Sequence, residues 1–554
     1  MKHRFTYRIL ALVALVPLLL ACGGGDDTPT TGPSDPGTAR VPSGVLNVID
    51  DQRSEVYLPR TTSGEKALAL MLGRLFYQDL ETLEVLPGLA ESWEIKTVAG
   101  GGADWSFNLR EGVPFHKDWG ELTAEDVKFS LTEFLKEGST NPGTGDLTRW
   151  FGKDPNNIEI KDEHHLVVHA PQVDAGIWGS LARISDRGFN ISSKKHMESV
   201  GDEGFQKGPV GTGPWEFLEQ KKGERVTLSA RLDHWRQVPY FATLNIFIVP
   251  EPSTQIAMVR TGMVDITAIP TKLKGEVEGA GIRIIRSTNT LEYFVNFGGL
   301  FLTSRPLYDT DVPWAGENPM DEKPRMVREA LNLAVDKEAI IESILLGEGS
   351  PAAVTFNFGG PGTPWWNPKW KPYPYDPTRA KELLTQAGYP DGFTTGFWMV
   401  SGEINTIDVA EVVASYWEQV GIKVERRVAE YRPTLRSMLV DRGTAGWAYV
   451  KEQQGVSDPL SYGCGSCCGG ESSMTLGHTE APFWDETCPL MKQSLELDDL
   501  YKHTKTLGDY LYDNYWTVPL AYGNVLYAVG PKIGEWTPLR GQAGIYTPEY
   551  ASPA

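Results

Sequence analysis

The sequence predicts an α/β protein with two lobes around a cleft, and three features of the chain support this. Segments with a strand-like period of two alternate with segments whose apolar residues recur every three or four positions. The 554 residues exceed what one hydrophobic core usually organises, so more than one core unit is expected. No fixed-period repeat or heptad pattern occurs from residue 43 to residue 554, which excludes a solenoid or a coiled coil.

The first elements of the mature chain are strands, and a helix follows them. Val45–Ile49 is a short apolar run, and Trp105–Leu109 alternates apolar with polar residues, so both segments are predicted strands. Thr123 and Asp126 have the spacing of a capping box, which predicts a helix that ends before Gly138.

A compact unit of strand, helix and strand is predicted next. The alternating segment 226–232 leads to an apolar run at Leu244–Val249. Ser253 can cap a helix that reaches Arg260, and the strand Val264–Ile266 comes directly afterwards.

The second half of the chain has the same order of elements. Asp376 offers a capping carboxylate and Pro377 a first-turn proline, which together predict a helix that ends at Gly388. A βαβ pattern then follows. Its predicted segments are the strand Phe393–Val400, the helix Ile407–Val420 and the strand Ile422–Val424.

The N-terminus predicts export. Lys2, Arg4 and Arg8 precede an apolar run at 9–20 that is too short to cross a membrane, so residues 1–21 are predicted to be a signal peptide. The residues before Cys22 resemble a bacterial lipobox, which predicts lipidation of this cysteine. Residues 22–42 are rich in Gly, Asp, Thr and Pro, and they are predicted to form a lipid-anchored flexible linker.

Charge and cysteine content narrow the choice of partners. The formal net charge of −20 repels phosphate backbones, so nucleic acid is excluded as a partner. Cys464, Cys467, Cys468 and Cys488 lie close together in an exported chain, which predicts one or two local disulfides. A zinc or iron–sulfur site is the disfavoured alternative, and no metal is expected.

The motifs of the common hydrolases are missing from the sequence. There is no Gly-x-Ser-x-Gly, no His-Glu-x-x-His and no phosphate-binding loop. Ser192 and Lys195 have the Ser-x-x-Lys spacing, but its companion motifs do not occur. His164, His165 and His169 belong to an alternating strand and are interpreted as solvated. No catalytic residue is therefore assigned, and a secreted hydrolase remains the alternative from another class.

A series of segments along the chain resembles the extracellular solute-binding proteins of family 5. This family includes the oligopeptide-, dipeptide- and nickel-binding proteins of ABC importers. The similar segments are Leu86–Trp93, Trp105–Val113 with Phe115 and His116, Leu122–Val127, Gly211–Trp215, Arg325–Asp336, Tyr375–Leu384 and Ala387–Pro390. Because these segments occur in the order found in the family, the whole set indicates the family far more specifically than any single segment does.

The resemblance implies a two-lobed periplasmic-binding-protein-like fold with an extra inserted subdomain and a cleft between the lobes. Lobe I is expected to comprise 43–80, 205–298 and 518–554. The inserted subdomain is expected at 81–204, and lobe II at 299–517.

The resemblance also implies a function. The protein is expected to capture peptides outside the cytoplasmic membrane and to deliver them to an ABC permease and its ATPase by lobe closure. The alternative within the family is a non-peptide solute such as a metal chelate, an oligosaccharide or another metabolite. The protein is expected to be a monomer without a cofactor, located in the periplasm or on the outer face of the cytoplasmic membrane.

Candidate ligand-binding residues follow from the same resemblance. Peptide-binding relatives place a glycine, a tryptophan and, shortly afterwards, an aspartate that pairs with the peptide ammonium group. Gly446 and Trp447 match the first two positions, but Val450 and Lys451 lie where the aspartate is expected. Tyr449 and Glu452 complete this candidate wall, and the alternative is that Trp447 belongs to the core. Further candidates are Trp365 and Trp366, which lie in a loop rich in Gly and Pro.

Overall fold

The computed structural model describes residues 40–50, 57–61, 65–141, 144–182, 189–401, 405–454, 459–460, 463–464 and 479–554. The predicted signal peptide, Cys22 and nearly all of the predicted linker lie outside these residues, as do Cys467 and Cys468. Cys464 and Cys488 form a disulfide, with their Cα atoms 5.6 Å apart.

The described part of the chain contains both strands and helices. The strands are β1 (Val45–Ile49), β2 (Phe76–Gln78), β3 (Val85–Pro87), β4 (Ala90–Thr97), β5 (Ala103–Leu109), β6 (Ile158–Ile160), β7 (His165–Ala170), β8 (Trp215–Lys221), β9 (Arg225–Ala230), β10 (Thr243–Phe247), β11 (Ile266–Ile269), β12 (Arg283–Phe297), β13 (Gly349–Pro351), β14 (Thr394–Ser401), β15 (Lys423–Glu430), β16 (Trp447–Gln454) and β17 (Val518–Val529). The α-helices are α1 (Glu65–Met71), α2 (Ala124–Glu133), α3 (Thr144–Phe151), α4 (Ile177–Ala182), α5 (Lys194–Lys207), α6 (Pro252–Arg260), α7 (Lys274–Gly279), α8 (Glu322–Leu333), α9 (Lys337–Ser343), α10 (Pro377–Gln386), α11 (Thr406–Gln419), α12 (Arg436–Val440), α13 (Pro482–Gln493) and α14 (Leu497–Asp513). None of these helices is long and apolar enough to cross a membrane.

Local sequence signals placed most of these elements correctly. The Asp376 carboxylate accepts a hydrogen bond from the backbone N–H of Arg379 at 2.8 Å and so caps α10, as its sequence predicts. The prediction that Ser253 caps α6 is wrong, because Pro252 already occupies the first turn and the cap position falls on Glu251. A proline fits this first position because its ring fixes φ near the helical value and the missing N–H needs no partner there.

One eleven-stranded sheet runs through both lobes. Its strand order is β15-β14-β16-β12-β17-β11-β1-β10-β9-β8, and β13 pairs with β17 beside this path. The βαβ unit of β14, α11 and β15 is parallel, as the sequence predicts. A separate four-stranded sheet, in the order β4-β5-β7-β6, lies within the segment predicted to be the inserted subdomain.

Strands β12 and β17 are shared by the two lobes. The first part of β12 pairs with the end of β17, which also pairs with β11 in lobe I. The second part of β12 pairs with β16 in lobe II. Between these parts, the pairing of β12 with β17 shifts register between Ser287 and Leu291, where Asn289 has a left-handed φ of 53°. The lobes are therefore joined at a break in an otherwise continuous pair of strands.

The exact lobe and subdomain limits remain predictions from the sequence. The structure adds the position of the break in the β12–β17 pairing, between Ser287 and Leu291. The residues around this break lie next to a loop from the predicted lobe II.

Candidate binding site between the lobes

A loop that connects β13 to α10 covers the break between the lobes. Two of its glycines, Gly360 and Gly362, have φ values of +77° and +96°. A Cβ atom on Gly360 would lie 2.9 Å from Nδ2 of Asn289 and 3.2 Å from the ring of Tyr522. A glycine is needed here both for the backbone conformation and for the close approach.

Glu292 on β12 holds the start of this loop. Its side chain is 1% exposed, and its two carboxylate oxygens accept hydrogen bonds from the backbone N–H groups of Asn357 at 2.9 Å and Gly359 at 3.1 Å. Phe356 and Asn357 have left-handed φ values of 69° and 67°, which non-glycine residues rarely adopt. The strained turn thereby directs successive N–H groups at one carboxylate.

Burial dominates the protonation of this carboxylate. Burial raises the pKa of Glu292 to about 7, although the hydrogen bonds from the loop backbone favour the charged form. Tyr522 lies opposite Glu292 in the β12–β17 pair, and its hydroxyl donates to the carbonyl of Val354. Burial and the nearby Glu292 both raise the pKa of Tyr522, which therefore stays neutral.

Trp365 is fixed by the same loop. Its indole N–H donates to the carbonyl of Phe358 at 3.0 Å, and its ring contacts Tyr501 with centroids 5.9 Å apart. Trp366 packs against Trp370 and Tyr522, at 5.1 and 6.3 Å between centroids. Both predicted loop tryptophans thus lie near the strands that join the lobes.

A narrow apolar cavity of about 30 Å³ lies between Trp365 and residues of the predicted lobe I and its predicted inserted subdomain. On this side it is lined by Gln78 of the predicted lobe I and by Leu83, Val85, Ala175, Trp178 and Gly179 of the predicted subdomain. On the lobe II side it is lined by Trp365, Pro459, Leu460, Leu497, Leu500, Tyr501 and Thr504. A solute site usually has roughly 300–1,000 Å³, so these walls must separate before a solute can enter.

Two contacts hold the walls in this arrangement. The backbone N–H of Ala175, from the subdomain side, donates to the carbonyl of Lys492 at 2.7 Å. The guanidinium of Arg540 donates to the carbonyls of Gly359, at 2.9 Å, and Pro361, at 2.6 Å. It also donates to the carbonyl of Glu81 at 3.1 Å, which joins the loop to the other side of the cleft.

The candidates on β16 lie elsewhere. Trp447 is half-buried and lies over Gly396, with Trp398 at 4.6 Å between centroids and the Arg427 guanidinium at 4.4 Å from its ring. Tyr449 is fully buried in the same aromatic cluster. Both residues therefore pack against β14, and Trp447 is at the end of β16 furthest from the break.

The other two candidates of this segment, Gly446 just before β16 and Glu452 within it, do not belong to this aromatic cluster. Gly446 has a φ of +74° and accepts a hydrogen bond from the Thr395 hydroxyl at its carbonyl. Glu452 is 5% exposed and lies opposite Tyr293 of β12, on the face of β16 away from Trp447 and Tyr449. The structure thus divides the candidates between the loop and two faces of one strand.

Sequence reasoning missed Glu292, Tyr522 and Arg540. One signal was available for Glu292, since a glutamate in the otherwise apolar run of β12 predicts a buried carboxylate with a specific partner. Within the described residues, no group of three or more His, Cys, Asp or Glu side chains could hold a metal ion.

Comparison with known proteins identifies curated relatives of this chain. Heme-binding protein A of Haemophilus influenzae is 28% identical over 390 residues, which cover 66% of this chain and 66% of that protein. The dipeptide-binding protein of Escherichia coli is 28% identical over 378 residues, covering 64% of this chain and 65% of the relative. The alignments thus span slightly less than two thirds of the length of these curated relatives.

The same fold is present in a solved structure, and a family description matches most of the chain. HbpA2 from Haemophilus parasuis superposes with a TM-score of 0.74 at 19% identity, covering 92% of this chain and 99% of that one. The family described as bacterial extracellular solute-binding proteins, family 5 Middle, matches residues 84–467. The chain therefore belongs to the bacterial extracellular solute-binding proteins of family 5.

Proposed function

We propose that the protein is the solute-capturing subunit of an ABC importer, that its solutes are peptides, and that it delivers them to the permease by lobe closure. The observation that carries this proposal is the small cavity between the inserted subdomain and lobe II, beside a break in the strands shared by both lobes. A cavity too small for a solute, with a hinge next to it, fits a protein that opens to load and closes to signal loading.

The choice of peptides rests on the relatives and on the cavity wall. The Escherichia coli relative is named a dipeptide-binding protein. Aromatic and aliphatic side chains line the cavity, with Gln78 and Thr504 as polar groups, and such a wall accepts varied side chains while a few hydrogen bonds orient the ligand.

A non-peptide solute is the second candidate, and two observations favour it. The aspartate expected after Trp447 is absent from the sequence, so one means of holding a peptide ammonium group is missing. The Haemophilus influenzae relative is named a heme-binding protein. Together these observations make a non-peptide metabolite, such as a metal chelate, the second candidate after peptides.

Native mass spectrometry of gently purified protein decides between the candidates. A heterogeneous set of short peptides released on denaturation supports peptide capture. A single non-peptide compound keeps the transport role and rejects the peptide assignment. Release of nothing, together with no thermal stabilisation by peptide mixtures or heme, rejects capture of either class.

A matched pair of variants tests the position of the site. Trp365→Ala removes a wall of the cavity between the lobes, whereas Trp119→Ala removes a half-buried tryptophan that lines a different pocket. The expected result is a loss of solute affinity of about tenfold or more for Trp365→Ala and less than about twofold for Trp119→Ala. Equal losses would place the solute elsewhere.

The same protein tests the hydrolase alternative. A captured peptide or ester that is recovered intact after prolonged incubation supports a binding role. Recovery of cleavage products would make the protein an enzyme.

We also propose that the chain is exported as a monomer and anchored through lipidated Cys22. The lipobox-like residues before Cys22 support this. Cys22→Ser should move the protein from the membrane fraction to the soluble fraction and abolish incorporation of labelled fatty acid. A soluble wild-type protein without fatty acid would contradict the anchor.

A further inference from the structure

The loop 352–366 joins the cavity between the lobes to a buried carboxylate for which the family resemblance supplied no role. Glu292 contacts the loop backbone, the loop contacts Trp365, and Trp365 lines the cavity. Each link is a hydrogen bond or a direct packing contact within described residues.

The first link is specific in its geometry. Besides the bonds from Asn357 and Gly359, the backbone N–H groups of Phe356 and Phe358 also stabilise the Glu292 carboxylate. A buried carboxylate that collects several backbone N–H groups compensates part of its desolvation in this way. Phe356 and Asn357 have left-handed conformations, which are costly for non-glycine residues, and these bonds help to stabilise them.

The second link passes through one carbonyl. The Phe358 carbonyl accepts from the Trp365 indole N–H and also from the Thr363 hydroxyl at 3.3 Å. Phe358 lies between the two residues whose N–H groups bind Glu292, so a rotation of this turn moves the acceptor of Trp365 with it.

The third link reaches the other side of the cleft. Arg540 binds the carbonyls of Gly359 and Pro361, and its guanidinium lies where a Cβ atom on Gly362 would be 2.8 Å from it. Its remaining bond is to the carbonyl of Glu81. The turn is therefore held by Glu292, which accepts from its N–H groups, and by Arg540, which donates to its carbonyls from across the cleft.

We propose that Glu292 is the positioning residue for the Trp365 wall, and that Arg540 locks the positioned loop to the opposite side of the cleft when the lobes are closed. This inference rests on the proposed function, because it names the residues that hold the closed cavity. It assigns Glu292 no contact with the solute.

Tyr522 on β17 and Gln453 on β16 are the cross-strand neighbours of Glu292. Burial raises the pKa of Glu292, whereas the backbone N–H groups of the loop lower it, so the loop bonds favour the carboxylate. Loss of one acceptor oxygen from this side chain should therefore loosen the loop.

Hydrogen exchange of the ligand-free protein tests the proposal. Protection factors of the backbone amides in peptides covering 354–362, corrected for intrinsic exchange, are measured at one pH for the wild type and for Glu292→Gln. In Glu292→Gln they should be lower by about tenfold or more, because one of the two acceptor oxygens that bind the loop becomes an N–H donor.

A matched control separates positioning from general destabilisation. Glu133→Gln also removes a buried carboxylate, but Glu133 lies at the end of α2, in the predicted inserted subdomain. Its partners are Arg60 and Lys136. This variant should leave the protection of 354–362 unchanged. The proposal is overturned if Glu292→Gln leaves the protection of 354–362 unchanged, or if Glu133→Gln lowers it as much as Glu292→Gln.

A second variant covers the case in which Glu292→Gln does not fold. Arg540→Gln should increase exchange in 354–362 several-fold and leave the amides of β4 and β5 unchanged. An effect of equal size in β4 and β5 would contradict a local lock. Because these measurements need no solute, their failure is distinct from failure of the peptide assignment, which the released ligand alone decides.

Discussion

Glu348 shows at the scale of one residue how an ion pair supports the joint between the lobes. Its carboxylate accepts hydrogen bonds from the Arg286 guanidinium at 2.8 and 2.7 Å, and the ammonium group of Lys274 lies 2.5 Å away. Burial alone would raise the pKa of Glu348, but these cationic partners outweigh it and lower the pKa to about 2. Arg286 belongs to β12, just before the register shift.

Glu348→Gln should therefore destabilise the protein near neutral pH. We expect a loss of about 1–3 kcal/mol in the free energy of unfolding at pH 7, because the buried member of a hydrogen-bonded ion pair becomes neutral. The folded pKa lies below the ordinary value of 4.5, so the stabilisation is present above pH 4.5 and is lost as the pH falls towards 2. Urea denaturation from pH 3 to pH 7 measures the difference between the two proteins.

An exposed glutamate provides the control for this measurement. Glu382 pairs with Arg379 on α10, and its side chain is 55% exposed. Glu382→Gln should change the free energy of unfolding by less than about 0.5 kcal/mol at every pH. A Glu348→Gln protein whose deficit stays constant down to pH 3 would show that its carboxylate does not carry the acid dependence.

The loop over the joint has a requirement that can be measured at the scale of an element. Gly360 and Gly347 both have a φ of +77°. Of these two glycines, only Gly360 has described side chains near the position that a Cβ atom would take. Gly347→Ala should cost about 1 kcal/mol, because only the backbone is strained. Gly360→Ala should cost roughly 1–3 kcal/mol more, since Asn289 and Tyr522 must also move.

Thermal denaturation of these two variants beside the wild type measures both costs. Equal losses would mean that the loop adapts to a Cβ atom without resisting, and the close packing against the joint would then have no energetic weight.

The disulfide is a second element whose removal has a defined cost. Cys464 and Cys488 are 24 residues apart, and closing a loop of this size stabilises a folded chain by about 3 kcal/mol, mainly by constraining the unfolded state. The double variant Cys464→Ser, Cys488→Ser should lose about this amount of unfolding free energy. Reductant should then lower the stability of the wild type but not of the double variant. If reductant still lowered the stability of the double variant, its effect would have to come from other cysteines.

Elements with local signals were predictable, whereas contacts between distant segments were not. Asp376 and Pro377 defined α10 because capping depends on neighbours in sequence. Glu292, Phe358 and Arg540 meet only after β12, the loop and the C-terminal segment are folded together, so no spacing in the sequence indicates their contact. The β16 candidates were named by resemblance alone, which does not specify the face of the strand on which each side chain lies.

At the scale of the whole molecule, the two lobes share strands and part of a core. Strands β12 and β17 continue through the joint, and one buried cluster contains residues of the inserted subdomain together with residues of lobe II. Chains with several domains usually unfold in separate steps. Here neither lobe can lose its sheet without unpairing strands of the other.

We therefore predict one cooperative unfolding transition for the ligand-free protein. Calorimetry should give a ratio of calorimetric to van't Hoff enthalpy near one, whereas independent lobes would give two peaks or a ratio of about two. Hydrogen exchange provides the internal check. Amides in the middle of β10 and of β16, on opposite sides of the β12–β17 pair, should open with free energies that agree within about 1 kcal/mol. Sharply different opening energies would mean that β12 and β17 pass through the joint without coupling the two halves, and closure would then be a rotation of independent bodies.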